Sequence, residues 1–120
     1  MTLSKASSMD GKRFLAANHV FQIGRGKVDC TPEATGQVLM GWGDHSHRAH
    51  KISERLHIRC LWLKDPEGQS CLLFQYDLCM ISELLVSRFI AALKQVPELH
   101  AENLKDSSFL FSATHTHAAP

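Results

Sequence analysis

Cys71-Leu72-Leu73-Phe74-Gln75-Tyr76 is a nearly unbroken apolar run, and its two flanks set the organisation of the chain. The run predicts a fully buried strand. Beyond Asp77, apolar residues fall at Ile81, Leu84, Leu85, Phe89, Ala92, Leu93 and Val96, while Glu83, Arg88, Lys94 and Gln95 lie mostly off that stripe. This 3.6-residue spacing predicts an amphipathic helix. Ser82 offers a side-chain cap, Glu83 and Lys94 suit the two ends of the macrodipole, and Pro97 cannot continue the helix. A polar loop then leads to Phe109-Leu110-Phe111-Ser112-Ala113, a second short buried strand. Strand, helix and strand in that order imply a parallel pair joined by a right-handed crossover.

On the amino-terminal flank, His57 to Leu63 alternates Ile58, Cys60 and Trp62 against His57, Arg59 and Leu61, the period of a strand. Asp65-Pro66-Glu67-Gly68 supplies a proline that pre-sets a turn and a glycine that takes positive φ, so this strand and the next form an antiparallel hairpin. Phe21 to Asp29 places Phe21 and Ile23 on one face before Gly24 and Gly26 interrupt, which suits a strand with a bulge or a close backbone approach. Gly24 and Gly26 lack the third glycine and the ensuing helix of a dinucleotide loop, so their role is backbone geometry. Thr31 to Lys51 holds three glycines and several histidines without a period, a long loop of the kind that often carries function. Residues 1–18 read as a polar arm with a helical turn around Phe14 to Ala17. The expected fold class is α+β, a partial α/β sandwich over residues 19–120 in the order strand, loop, strand, strand, helix, strand.

At 120 residues and 13.4 kDa the chain has the size of one compact domain, and 44% hydrophobic with 21% charged residues makes it globular rather than disordered. Thirteen basic residues against 12 acidic ones leave a net charge of +1, so no bulk positive field exists to hold nucleic acid. The four cysteines are too widely spaced for a Cys-x-x-Cys metal knuckle, and three sit in apolar runs, as buried reduced thiols would. Met1 to Phe14 has no apolar core of a signal peptide, which makes a cytoplasmic location the default expectation. No apolar run approaches the ~20 residues needed to cross a bilayer.

The chemistry gathers after the last strand, at Ser112-Ala113-Thr114-His115-Thr116-His117. In extended conformation His115 and His117 would project to one face about 6.5–7 Å apart. Two imidazoles there can share a metal, and open α/β sheets place ligands at the carboxyl ends of their strands. The alternative is a pair of ordinary polar residues near a terminus. His45, His47 and His50 form a second histidine group that in principle completes a site with His115. Asp77 suits either capping of the next turn or orientation of a ligand histidine. Trp42 suits either packing over the sheet or an exposed contact with a lipid or partner. A metallo-β-lactamase pattern would continue with aspartate and histidine, whereas this chain reads Ala118-Ala119-Pro120.

From Phe21 onward the chain resembles the amino-terminal catalytic region of the neutral ceramidases (neutral/alkaline non-lysosomal ceramidases). The matching blocks are ordered: Ile23-Gly24-Arg25-Gly26-Lys27-Val28-Asp29 with Thr31-Pro32, Leu39-Met40-Gly41-Trp42, Arg55 and Arg59, Asp77-Leu78-Cys79-Met80-Ile81, and Ser112 to His117 with Pro120. Ala118-Ala119 stands where the family usually has serine and glycine. The resemblance implies a zinc (Zn2+) amidohydrolase that cleaves ceramide to sphingosine and a fatty acid. It also implies that His115 is a zinc ligand and that His117 lies beside the substrate carbonyl, helping to stabilise the oxyanion. The family's other ligands, a histidine, a glutamate and a tyrosine, lie downstream of Pro120, so the expectation is one part of a larger catalytic domain with little or no hydrolysis of its own. Family members are usually secreted or membrane-facing. The competing expectations are a non-catalytic remnant or subunit that binds a partner through an exposed sheet face, and a hydrolase of the same fold acting on another amide or ester.

Overall fold

The computed structural model describes residues 20–102 and 104–120; the expected arm at 1–18 and its helical turn lie outside them. Four strands, β1 (Gln22–Asp29), β2 (His57–Lys64), β3 (Ser70–Tyr76) and β4 (Phe109–Ala113), form one open mixed sheet in the order β1-β2-β3-β4. The helix α1 (Glu83–Leu93) connects β3 to β4, followed by 3-10 turns at Pro97–Glu102 and Asp106–Ser108. The fold is α+β, with the expected element order. No helix among the described residues is long and apolar enough to cross a membrane.

The β2–β3 hairpin closes as its turn residues dictate: Asp65 and Gln69 bond through their backbones at 2.9 Å, and Gly68 takes φ +86°. β4 pairs with β3 in parallel from Leu72 opposite Phe109 to Tyr76 opposite Ala113. Because facing residues share a face, the registers place Ile58, Cys60 and Trp62 of β2 with Leu72, Phe74 and Tyr76 of β3 and with Phe109 and Phe111 of β4. Onto this face α1 lays Phe89, Ile90 and Leu93. The Phe89 ring meets Phe74, Tyr76 and Phe111 edge-on at centroid distances of 5.0, 5.7 and 6.0 Å.

Of the two readings of β1, a bulge or a close backbone approach, the second holds: its register with β2 runs unbroken from Gln22 opposite Lys64 to Asp29 opposite His57, and a Cβ at Gly24 would lie 3.1 Å from Cε3 of Trp62. Three expectations need correction. β3 is not buried on both faces: Leu72, Phe74 and Tyr76 are, but Gln75 is exposed and Cys71 and Leu73 only half-buried, because α1 covers one side. On α1 itself Leu84 is 62% exposed, as it lies well round the helix from Phe89, and Lys94 caps the end rather than completing the last turn. Ser82 caps the start as expected, its Oγ accepting from the Leu85 N–H. Of the cysteines only Cys79 is buried; Cys30, Cys60 and Cys71 are half-buried, and all four are free thiols.

The opposite face of the sheet carries Ile23, Leu61 and Leu110, exposed at 42, 37 and 53%. Leu63 and Leu73 lie between them by register, so this part of the second face is apolar and open, while Lys27, Arg59, Gln75 and Ser112 make its other end polar.

Candidate metal site at the carboxyl edge of the parallel strands

Parallel pairing brings the carboxyl ends of β3 and β4 side by side, and one further rung, the Thr114 N–H donating to the Tyr76 carbonyl at 2.9 Å, extends the match past the strands. Cys79 follows β3 in a bend, and His115 and His117 follow β4. The strand does not continue through the histidines. His115 takes φ +60°, so the chain turns and the two rings meet edge to face with centroids 5.0 Å apart. The two imidazoles, expected to face one side through extended alternation, are brought together by this turn instead.

A third donor joins them. The Sγ of Cys79 and one ring nitrogen from each of His115 and His117 all lie within 4.8 Å of one another. Cys79 is buried, His117 half-buried and His115 exposed. By its apolar neighbours in the sequence Cys79 reads as a packing thiol. The signal was nonetheless present, because a residue just beyond β3 must neighbour one just beyond a parallel β4.

The loop between β1 and β2 roofs this cluster. A bridge between Val38 and Arg48, backbone bonds from Leu39 to His47 and from Ala49 to Gln37, and the Arg48 guanidinium on the Gly36 carbonyl at 2.7 Å hold it as a narrow hairpin. Its tip is pinned to the last segment by the Met40 N–H on the Ala119 carbonyl (3.0 Å) and the Trp42 Nε1–H on the His117 carbonyl (2.9 Å). Between them Gly41, at φ +95°, presses so closely that a Cβ would lie 2.7 Å from Cδ2 of His117 and 2.8 Å from Sγ of Cys79. Trp42 does not pack on the sheet and is 54% exposed. Its ring stacks on His47 at 5.0 Å and meets the His117 ring edge-on at 5.7 Å.

The remaining candidates lie elsewhere. Among the described residues His45, His47 and His50 do not join His115 in a ligand group; the hairpin instead holds His47 on Trp42, with Nδ1 3.4 Å from the Asp44 carboxylate. Asp77 neither caps the following turn nor meets His115. It ties β2 to the end of β3, accepting from the His57 N–H (2.9 Å) and from Arg59 Nη1 (2.7 Å). The Arg59 hydrogen bond, with help from the His57 N–H, holds its carboxyl below the usual carboxylate range. A cavity of about 780 Å³ opens beside the site, lined by Thr114, Thr116 and Ala118 together with Arg59 and Asp77. The segment 114–118 thus sends alternate side chains to the cavity and to the donor cluster.

Fold and site together define an α+β chain with an imidazole and thiol donor set at the carboxyl edge of a parallel strand pair. The sequence profile of "Neutral/alkaline non-lysosomal ceramidase, N-terminal" matches residues 21–120, and the chain belongs to that family. It is similar to Neutral ceramidase 2 of Arabidopsis thaliana, 28% identical over 102 residues that make up 85% of this chain and 13% of that protein. Neutral ceramidase of Oryza sativa subsp. japonica is 29% identical over 83% of this chain and 12% of its own length. For Neutral ceramidase of Mycobacterium tuberculosis the figures are 28%, 84% and 16%. The chain therefore spans about an eighth to a sixth of the length of these relatives.

Proposed function

We propose that this chain is the amino-terminal part of the catalytic domain of a zinc-dependent amidohydrolase that cleaves the N-acyl bond of ceramide to sphingosine and a fatty acid. The observation that carries the reading is the convergence of His115 and His117 at the carboxyl edge of β3 and β4, within the region matched to the family. The donors fit zinc: imidazole nitrogen and thiol sulfur are its favoured ligands. Tetrahedral zinc sets such donor atoms about 3.3–3.6 Å apart, and exposed His115 has room to swing inward from the present limit of 4.8 Å.

His115 holds the metal in this reading. Bound zinc supplies a Lewis acid and lowers the pKa of water at the site to about 7. His117 presents a ring N–H toward the amide oxygen as negative charge develops on it. Its main chain is fixed for this by the Trp42 N–H and its ring by the edge contact with Trp42. The open apolar face of Ile23, Leu61 and Leu110 packs against further parts of the catalytic domain, and the 120-residue chain alone hydrolyses little or nothing.

The test is fatty-acid release from ceramide by the complete natural polypeptide with zinc supplied, run beside other lipid and non-lipid amides. Release from ceramide supports the reading. Release only from another amide keeps the hydrolase and changes the substrate, and no release from any of them, with zinc bound, favours the non-catalytic alternative.

A further inference from the structure

The loop histidines that stand out in the sequence take no part in the donor cluster, yet one of them reaches it through a second ring. The Trp42 indole touches two imidazoles: His47 is stacked on it, with centroids 5.0 Å apart and planes 8° from parallel, and His117 meets it edge-on at 5.7 Å. Because Trp42 is 54% exposed, little else confines its ring, and a side chain so open exchanges rotamers unless its neighbours hold it. The Nε1–H bond to the His117 carbonyl fixes one edge of the indole, and the stack fixes its plane. His47 is itself anchored by the hairpin. Its carbonyl accepts from the Leu39 N–H at 2.9 Å and its N–H donates to the Asp44 carbonyl at 3.2 Å. Its Nδ1 stands 3.4 Å from one oxygen of the Asp44 carboxylate, whose other oxygen accepts from the Ser46 N–H at 2.8 Å.

Building on the role proposed above for His117, we infer that His47 is a positioning residue for the reaction: stacked on Trp42, it holds the indole against His117 and so keeps the His117 ring N–H aimed at the developing oxyanion. In this role His47 touches neither substrate nor metal. It narrows the orientations open to the His117 ring. A donor that wanders by about an ångström stabilises the oxyanion less, while substrate in its ground state binds as before, so loss of His47 lowers kcat and spares KM. Another flat ring at position 47 does the same work, and a methyl group does not.

The test measures ceramide hydrolysis by the complete natural polypeptide with zinc supplied. Expected for His47→Ala is a fall in kcat of ~10-fold at unchanged KM, short of the ~10²–10³-fold lost with an oxyanion donor itself. His47→Phe keeps the stack and should restore most of kcat, and His45→Ala, an exposed histidine of the same turn, should leave kcat unchanged. The His47 side chain is 51% exposed, so these replacements leave the fold intact. A second readout is independent of the reaction. Hydrogen exchange of the Trp42 indole N–H, slowed by its bond to the His117 carbonyl, should quicken in His47→Ala and slow again in His47→Phe. An undiminished kcat in His47→Ala, a loss that His47→Phe does not reverse, or indole exchange equal in all three proteins overturns the inference and leaves the ceramidase reading standing. No hydrolysis of ceramide by the unaltered enzyme overturns that reading, and this inference with it.

Discussion

Replacement of Gly41 by alanine tests the roof over the site, because this glycine meets two separable demands. The first is conformational: φ is +95°, where an L side chain costs about 1–2 kcal/mol. The second is steric. The new methyl carbon would stand 2.7 Å from Cδ2 of His117, 2.8 Å from its Nε2 and 2.8 Å from Sγ of Cys79, so something must shift. Crowding of this kind costs about 1–3 kcal/mol further. The loop cannot simply lift away, since the Met40 and Trp42 hydrogen bonds to Ala119 and His117 pin it on both sides. Gly36 provides the control: it lies earlier in the same loop at φ +82° and has nothing within 4 Å of an added Cβ. Gly36→Ala should therefore lose only about 1–2 kcal/mol and keep its metal affinity, while Gly41→Ala should lose about 2–5 kcal/mol. The Gly41 variant should also bind zinc more weakly, because the displaced groups are donors. Urea unfolding at constant m-value gives the stabilities, and competition with a chromophoric chelator gives zinc affinity. Equal losses in the two variants, or unchanged zinc affinity in Gly41→Ala, would refute the placement of Gly41 over the cluster.

Tyr76 is 3% exposed and its hydroxyl has no hydrogen-bond partner among the described residues, so Tyr76→Phe should stabilise the chain by about 1–2 kcal/mol in urea unfolding. Burial also pushes the Tyr76 phenol up to about 12. The unfolded chain ionises first, so stability should fall as pH rises from about 10 toward 12, by up to about 2–3 kcal/mol, and Tyr76→Phe should remove that component. Asp77, whose folded-state pKa is lowered chiefly by its bond to Arg59, adds stability that is complete above the ordinary carboxylate range and lost as pH drops through the lowered value. Thermal melts in acid should accordingly show a shallower loss for Asp77→Asn, which at neutral pH gives up about 1–3 kcal/mol. Trp42→Phe removes the N–H bond to the His117 carbonyl and should cost about 0.5–1.5 kcal/mol. Cobalt should quench tryptophan emission strongly in the unaltered chain and much less in this variant, since Trp42 meets His117 at 5.7 Å.

The sheet, its helix and the parallel pair were legible because local signals agreed with the tertiary result: the Asp65 to Gly68 turn, the Ser82 cap and the apolar runs at β3 and β4 each name one structure. Burial was less legible. A run such as Cys71 to Tyr76 looks equally suited to cover on one face or two, and only the placement of α1 decides that Gln75 is exposed while Tyr76 is not. At the site, His115 and His117 stood out by residue type, but the turn that brings their rings together rests on a positive φ at a residue other than glycine, which sequence rarely announces. Cys79 was hidden by its apolar neighbours, and Trp42 by the distance along the chain that separates it from His117.

Two needs of the chain are met in different places. The donor cluster, at 79 and 115–117, and the loop tip at 41–42 that roofs it lie on three segments widely separated in sequence, with the Trp42 Nε1–H bonded to the His117 carbonyl and the neighbouring Met40 N–H to the Ala119 carbonyl. Its assembly therefore depends on the parallel register of β3 with β4 and on the pinned loop, not on the open sheet face. That face, with Ile23, Leu61 and Leu110 exposed, still has apolar area to bury. A cation held by His115 would fix the turn beyond β4, adding about 2.7 kcal/mol at a hundredfold excess over its dissociation constant. Metal binding and cover of the open face then become separable contributions to stability. Zinc should raise the melting temperature of the 120-residue chain even while Leu61 and Leu110 remain in water, and replacement of the exposed His115 should abolish that increment without altering the sheet.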